Sequence, residues 1–180
     1  YTVMILADGM GHGINANVVA TMCCSRILEL LRRGFSLRRA FINLVKTLHE
    51  NKGKDLPYAV FTVVRILNDG NTTVLSYEMP GPILVGNKHG SVLKQRILYL
   101  GNDKIGEATC FLVPGESIMV FSDGVTQAGM GLSMRNGWEV EGVNQFINDC
   151  FNDRMELPQI PSEILRKVKE LCGDINADDA

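Results

Sequence analysis

Two segments of this chain run an apolar, strand-like sequence directly into an Asp-Gly pair: Met4-Ile-Leu-Ala-Asp8-Gly9 and Ile118-Met-Val-Phe-Ser-Asp123-Gly124. A strand that ends in a carboxylate holds an oxygen at the rim of a sheet, and the glycine lets the backbone turn sharply. A single Asp-Gly pair is a common turn dipeptide. Because both copies follow buried-looking strands, they predict a pocket of hard oxygen donors, which suits Mg²⁺ or Mn²⁺ better than zinc. Asp178 and Asp179 supply further acidic groups near the end.

The order of the predicted elements indicates an α+β fold. Apolar residues at helical spacing predict helices over residues 14–33, about 37–51 with Ser36 as the N-cap, about 139–151, and 162–171. Between the two pairs of helices, β-branched and aromatic runs predict strands at 58–67, 72–77, 83–85, 91–95, 97–100, about 108–112 and 117–122. A largely antiparallel sheet covered by helices would bury the apolar faces of these elements.

Composition favours one globular domain with a substantial core, since the chain has 180 residues, 46% of them hydrophobic and 21% charged. The formal net charge of -2 argues against generic binding to nucleic acid or anionic membrane. No apolar run approaches the roughly 20 residues that a membrane span needs, so we expect no membrane segment in this chain. The five cysteines form no CxxC motif and are odd in number, which predicts reduced thiols and a cytoplasmic location.

Three motifs in consistent order resemble a known family. They are Ala7-Asp-Gly-Met-Gly-His-Gly13 before a long helix, Val113-Pro-Gly-Glu-Ser-Ile-Met-Val-Phe-Ser-Asp-Gly-Val-Thr-Gln-Ala128, and the final Asp178-Asp179 pair. Together they resemble the metal-dependent protein phosphatases of the type 2C (PPM) superfamily, most closely the bacterial stage II sporulation E branch. Tyr77-Glu-Met-Pro-Gly-Pro-Ile-Leu84 also resembles the Gly-Pro turn of that branch.

The resemblance implies a four-layer αββα sandwich, with two mostly antiparallel sheets flanked by helices. It also implies that residues 1–180 form a single phosphatase catalytic domain. Family members begin with a hairpin that carries another acidic residue, and they continue into a strand after the acidic pair. Neither segment is in this sequence, so we expect the domain to be truncated at both ends.

The resemblance also implies the site residues. Asp8 would bridge two metal ions, with the backbone carbonyl of Gly9 as a further ligand. Asp123 would bind one ion, and Asp178 would complete the site, with Asp179 beside it. Two Mn²⁺ or Mg²⁺ ions would activate a water that hydrolyses phosphoserine or phosphothreonine, so Asp8 and Asp123 count as both metal-binding and catalytic.

The implied partner is a phosphorylated regulatory protein, such as an anti-sigma-factor antagonist, and the role is signalling. The resemblance also allows a homodimer. An alternative function is a catalytically weak, phosphatase-like module that regulates or binds another protein.

Several residues near the motifs have alternative readings. His12 would either act in catalysis, by protonating the leaving serine oxygen or orienting a metal-bound water, or only satisfy hydrogen bonds at the start of the following helix. The glycines after Asp8 do not fit a dinucleotide-binding GxGxxG, and no Gly-Lys-Ser/Thr sequence occurs. The glycine-rich stretch 129–137 matches a variable flap in the family, where Arg135 would either contact phosphate or lie on a solvated loop.

Overall fold

The computed structural model describes residues 1–11, 13–52 and 58–173 of the chain. These residues form two compact units. The first comprises Tyr1–Met79 and Gln95–Phe111, and the second comprises Pro80–Lys94 and the chain from Leu112 onward. Each unit contains one antiparallel sheet and its own helices. The predicted class, α+β with two antiparallel sheets and accompanying helices, is therefore confirmed.

The first unit contains a five-stranded sheet and two long helices. The strands are arranged in the order β1-β2-β3-β7-β6, and every neighbouring pair is antiparallel. In chain order the elements are β1 (Thr2–Gly9), α1 (Ile14–Arg32), α2 (Leu37–Asn51), β2 (Ala59–Ile66), β3 (Asn71–Tyr77), β6 (Arg96–Leu100) and β7 (Asp103–Phe111).

Alternating residues of the central strands bury one face of this sheet beneath the two helices. Phe61 and Val63 of β2 lie in one hydrophobic cluster with Ile27 of α1 and Phe41 of α2. The rings of Phe41 and Phe61 are 5.0 Å apart between centroids. Ser36 caps α2 as predicted, because its Oγ accepts the backbone N–H of Arg39 at 3.4 Å.

Helix α1 is long and apolar enough to cross a membrane by length and composition alone. The core helix of a soluble protein passes the same test, so this is weak evidence for a membrane span. In the structure Cys23, Ile27 and Leu30 bury one face of α1 in the cluster of the first unit. That packing accounts for only part of its apolar character, because just 22% of the apolar stretch is buried and Ile14, Val18, Met22 and Leu28 remain exposed.

The second unit contains a three-stranded sheet and the remaining helices. Its strands, in the order β5-β4-β8, are β4 (Ile83–Gly86), β5 (His89–Val92) and β8 (Ser117–Met119). The described helices of this unit are α3 (Asp123–Thr126), α4 (Glu139–Asn152) and α5 (Ile160–Cys172), with a 3₁₀ turn at Leu157–Gln159. Ile83 and Val85 of β4 pack with Ile147 of α4 and Ile160 of α5 in a second hydrophobic cluster.

Helix α4 is also attached to β5 by polar contacts. The side-chain amide of Asn148 accepts the backbone N–H of Gly90 at 2.7 Å and donates to the Gly90 carbonyl at 3.3 Å. A Cβ atom at position 90 would lie 2.8 Å from Asn144 Oδ1 and 3.1 Å from Ile147 Cγ2, so α4 lies close against this part of β5. Asn148 therefore satisfies both backbone polar groups of Gly90.

A buried carboxylate connects α2 with β3 and β7 in the first unit. Asp103 is 1% exposed, and it accepts hydrogen bonds from His49 Nδ1 at 2.8 Å, Lys52 Nζ at 2.5 Å and the Tyr77 hydroxyl at 2.5 Å. Burial alone would raise the pKa of the Asp103 carboxyl, but hydrogen bonds from these three donors lower it to about 2. The hydrogen bond to Asp103 also raises the pKa of Lys52. Asp103 is thus held ionised in the interior.

Four elements differ from the sequence-based prediction. Strand β5 begins at His89 and not at 91, because Asn87 and Lys88, with φ of 50° and 58°, form the whole turn after β4. Strand β7 begins at Asp103, five residues earlier than predicted, because it pairs with all of β6. Strand β8 ends at Met119, and the short helix α3, which was not predicted, begins at Asp123.

Candidate active site

The first Asp-Gly pair ends β1, as the sequence predicts. Asp8 pairs with Val60 and Gly9 with Ala59 in the antiparallel ladder with β2. The ladder continues one step further, since the Met10 N–H donates to the Tyr58 carbonyl at 3.0 Å. Asp8 is half-buried and has interactions of its own within the structure. The backbone that carries its carboxylate is therefore held by a strand whose last residues are all paired.

Gly9 lies against the first turn of α1. A Cβ atom at Gly9 would be 2.1 Å from the carbonyl oxygen of Ala16 and 2.8 Å from its Cα. Such distances are far below van der Waals contact, so only glycine allows the helix to approach this closely. The position of Asp8 is thereby coupled to the start of α1. Gly13, with a φ of 77°, is the N-cap residue that precedes this helix.

The second Asp-Gly pair lies at the start of α3 in the second unit. Asp123 is the first residue of this four-residue helix, after Ser122 in an extended conformation. Phe121 on one side and Val125 on the other are buried in the hydrophobic cluster of the unit. These two anchors fix the backbone on both sides of Asp123, which is itself half-buried. The sequence predicted that a strand would lead directly into Asp123. In the structure β8 ends at Met119, and a short link leads to Asp123 at the start of α3.

Gln127 binds both the backbone and the side chain of Asp123. Its backbone N–H donates to the Asp123 carbonyl at 2.7 Å, and its side-chain Nε2 donates to Asp123 Oδ2 at 3.0 Å. The Thr126 hydroxyl donates to the same carbonyl at 3.2 Å. No role was predicted for Gln127 from the sequence, although its spacing of four residues from Asp123 was a usable signal.

The glycine-rich stretch after α3 folds back on itself. The Gly129 carbonyl accepts the backbone N–H groups of Leu132, Ser133 and Met134 at 3.1–3.2 Å. Arg135 is exposed on this loop. The loop is thus closed by its own hydrogen bonds, and both its flap role and a phosphate contact by Arg135 stay predictions.

The predicted ligands divide between the two units and the part of the chain that is not described. Asp8 and Gly9 belong to the first unit, and Asp123 belongs to the second. Asp178, Asp179 and His12 lie outside the described residues, so their predicted roles stay predictions. Within residues 1–11, 13–52 and 58–173, no three His, Cys, Asp or Glu side chains form a group that could hold a metal ion.

The chemistry of the donors nevertheless fits a hard divalent cation. In the first unit, Asp8 carries a carboxylate and Gly9 a backbone carbonyl in a segment whose close packing requires glycine, and in the second unit Asp123 carries a carboxylate. Oxygen ligands of these types suit Mg²⁺ or Mn²⁺. Zinc sites are typically built from cysteine and histidine.

Comparison with known structures defines the class of fold. The PP2C phosphatase domain with a regulatory fragment of SpoIIE from Bacillus subtilis is similar with a TM-score of 0.74 at 14% identity, covering 98% of this chain and 52% of that one. The RsbU and RsbW domains of a Mycobacterium tuberculosis protein give 0.73 at 16%, covering 95% and 48%. The SiaA PP2C domain of Pseudomonas aeruginosa gives 0.71 at 14%, covering 98% and 72%. The fold is therefore that of PP2C phosphatase domains.

The family follows from the sequence itself. The chain matches the family described as Stage II sporulation protein E (SpoIIE) over residues 1–180. It belongs to that family, which confirms the resemblance seen in the motifs. No curated protein matches the chain significantly. The chain spans about half the length of two of the structures above, 48% and 52%.

Proposed function

We propose that this chain is a metal-dependent protein serine/threonine phosphatase. The observation that carries the proposal is the Asp8-Gly9 pair at the end of β1, packed against α1 within a chain that matches the SpoIIE family from end to end. A carboxylate and a backbone carbonyl fixed in this way have the donor chemistry of a Mg²⁺ or Mn²⁺ site. The PP2C fold supports the same assignment.

Asp8, the Gly9 carbonyl, Asp123 and Asp178 would hold the metal ions, two in number. When bound, such ions supply an activated water and neutralise charge on the phosphoryl group. The residues of the chain position these ions and the phosphate. Asp8 does so from a paired strand, and Asp123 from a helix start anchored by Phe121 and Val125.

The proposed substrate is a phosphorylated regulatory protein, of which an anti-sigma-factor antagonist is the expected kind. A signalling role is supported by the similarity to a protein with RsbU and RsbW domains, and to the phosphatase domain of SpoIIE solved with a fragment of its regulatory domain. Such a substrate would be met in the cytoplasm, which is the location we propose.

Hydrolysis of p-nitrophenyl phosphate, and then of a phosphoserine peptide, tests the proposal in the presence of Mn²⁺ or EDTA. We expect turnover with Mn²⁺ that is lost with EDTA, and a loss of at least about 100-fold in Asp8→Asn and Asp123→Asn, because each substitution removes a ligand charge. Asp69→Asn is a matched control. Asp69-Gly70 is a third Asp-Gly pair, and it only forms the turn before β3, where Asp69 accepts hydrogen bonds from Asn71.

Either of two results would overturn the proposal. One is wild-type protein that shows no Mn²⁺-dependent turnover although it is folded. The other is turnover that survives in both Asp8→Asn and Asp123→Asn. Protein that binds Mn²⁺ but never hydrolyses a phosphoprotein would favour the alternative, a phosphatase-like regulatory or interaction module.

A further inference from the structure

The hydrogen bond between Gln127 and Asp123 has a defined polarity. An ionised carboxylate can only accept, so the amide NH₂ of Gln127 must face Asp123 Oδ2, at 3.0 Å. The same residue also donates its backbone N–H to the Asp123 carbonyl at 2.7 Å. Two contacts from one residue restrict the carboxylate relative to its own backbone.

The setting of this bond distinguishes it from an ordinary stabilising pair on a helix. On a long helix, a Gln–Asp pair four residues apart adds about 0.2–0.5 kcal/mol to helix stability. Helix α3 has only four residues and ends at Thr126, immediately before Gln127. The pair therefore has little helix to stabilise, and its main consequence is the orientation of the Asp123 carboxylate.

Carboxylates that bind metals are themselves commonly held by a hydrogen-bond donor outside the ligand set. Removing such a donor typically costs 10–100-fold in metal affinity or activity. A neutral amide suits this task, because it supplies a donor without adding a positive charge that would repel a cation.

We propose that Gln127 is a positioning residue that orients the Asp123 carboxylate for a divalent cation. The inference rests on the proposed function, since it assumes that Asp123 is a metal ligand. Gln127 acts through Asp123 and is not itself assigned to the ligands. Its amide fixes Oδ2, so that the carboxylate meets the incoming ion in one orientation.

The test compares Gln127→Met with wild type and with Gln145→Met. Methionine keeps the length of glutamine but removes the donor. Gln145 is the matched control because its Nε2 donates to Asp149 Oδ1 at 2.9 Å, four residues apart on the long helix α4. Gln127→Ala separates loss of the donor from any effect of the methionine side chain. Mn²⁺ binding is measured by isothermal titration calorimetry, and p-nitrophenyl phosphate hydrolysis as a function of Mn²⁺ concentration.

We expect Gln127→Met and Gln127→Ala to bind Mn²⁺ about 10-fold more weakly than wild type. The Mn²⁺ concentration for half-maximal activity should rise by a similar factor. The KM for p-nitrophenyl phosphate at saturating Mn²⁺ should stay within about twofold, since substrate contacts are unchanged. Gln145→Met should match wild type in all three quantities.

The outcomes separate this proposal from the proposed function. Wild-type protein that neither binds Mn²⁺ nor hydrolyses the substrate would overturn both. Active wild type together with unchanged Mn²⁺ affinity in Gln127→Met and Gln127→Ala would overturn the positioning role alone. Equal weakening in Gln127→Met and Gln145→Met would also overturn it, because the effect would then be a general one on helix stability.

Discussion

Replacement of Asp103 by asparagine tests how strongly the buried carboxylate stabilises the first unit. Three donors, from His49, Lys52 and Tyr77, lower the pKa of Asp103 from 3.8 to about 2. At a little over 1 kcal/mol per pKa unit, ionised Asp103 contributes about 2–3 kcal/mol to the free energy of unfolding at neutral pH. Asp103→Asn removes the charge but keeps the size of the side chain, so we expect the free energy of unfolding at pH 7 to fall by about this amount.

The sign of the pH dependence follows from the direction of the shift. Because the pKa of Asp103 is lower in the folded state, its contribution is present above pH 3.8 and is lost as the pH falls through about 2. Urea unfolding of wild type and Asp103→Asn between pH 7 and pH 2.5 measures this directly. The difference in unfolding free energy should shrink across the acid range.

Asp149→Asn is the control for the charge change, since Asp149 is an exposed carboxylate on α4 that accepts a hydrogen bond from Gln145. It should change the stability by less than about 0.5 kcal/mol. The reasoning would be refuted if Asp103→Asn were no less stable than Asp149→Asn. It would also be refuted if the loss in Asp103→Asn were the same at every pH.

Two further substitutions test the close packing of Gly9 against α1 and the hydrogen bonds between Asn148 and Gly90. Gly9→Ala places a Cβ 2.1 Å from the Ala16 carbonyl oxygen, so it should cost about 1–3 kcal/mol or more and reduce Mn²⁺-dependent hydrolysis. Thermal unfolding would show this, and a loss below about 1 kcal/mol would contradict it. Asn148→Ala leaves both backbone groups of Gly90 unpaired and should cost about 1–3 kcal/mol in urea unfolding. Asn144→Ala should cost much less stability, since Asn144 Oδ1 has no hydrogen-bond partner in the described structure. Equal losses of stability in Asn148→Ala and Asn144→Ala would argue against a stabilising role for the hydrogen bonds between Asn148 and Gly90.

The long periodic elements were predictable because their signals are local. Helices α1, α2, α4 and α5 lie within two residues of their predicted bounds, since each repeats apolar residues at helical spacing. The turn after β4 was predicted to extend to Gly90, because glycine is typical of turns. In the structure the turn is formed by Asn87 and Lys88, and Gly90 lies in β5 and contacts α4. Local composition carries no information about such a contact.

The candidate site was only partly predictable for the same reason. Asp8 lies at a strand end as expected, because β1 is a continuous apolar run up to the carboxylate. For Asp123 the strand was predicted to be too long, and the short helix was missed, since four residues are too few to show a period. The Asp103 network was not foreseen at all. Its partners are separated from it by 26, 51 and 54 positions in the chain.

The contact between Asn148 and Gly90 also has a consequence for association between molecules. An outer strand whose N–H and C=O groups point into solvent is a template on which another chain can add a strand. Strand β5 is the outer strand on one side of its sheet, but the side chain from α4 already occupies both polar groups of its central glycine. An incoming strand would first have to displace that amide in order to pair with Gly90, so a single asparagine blocks strand addition at this position of the edge.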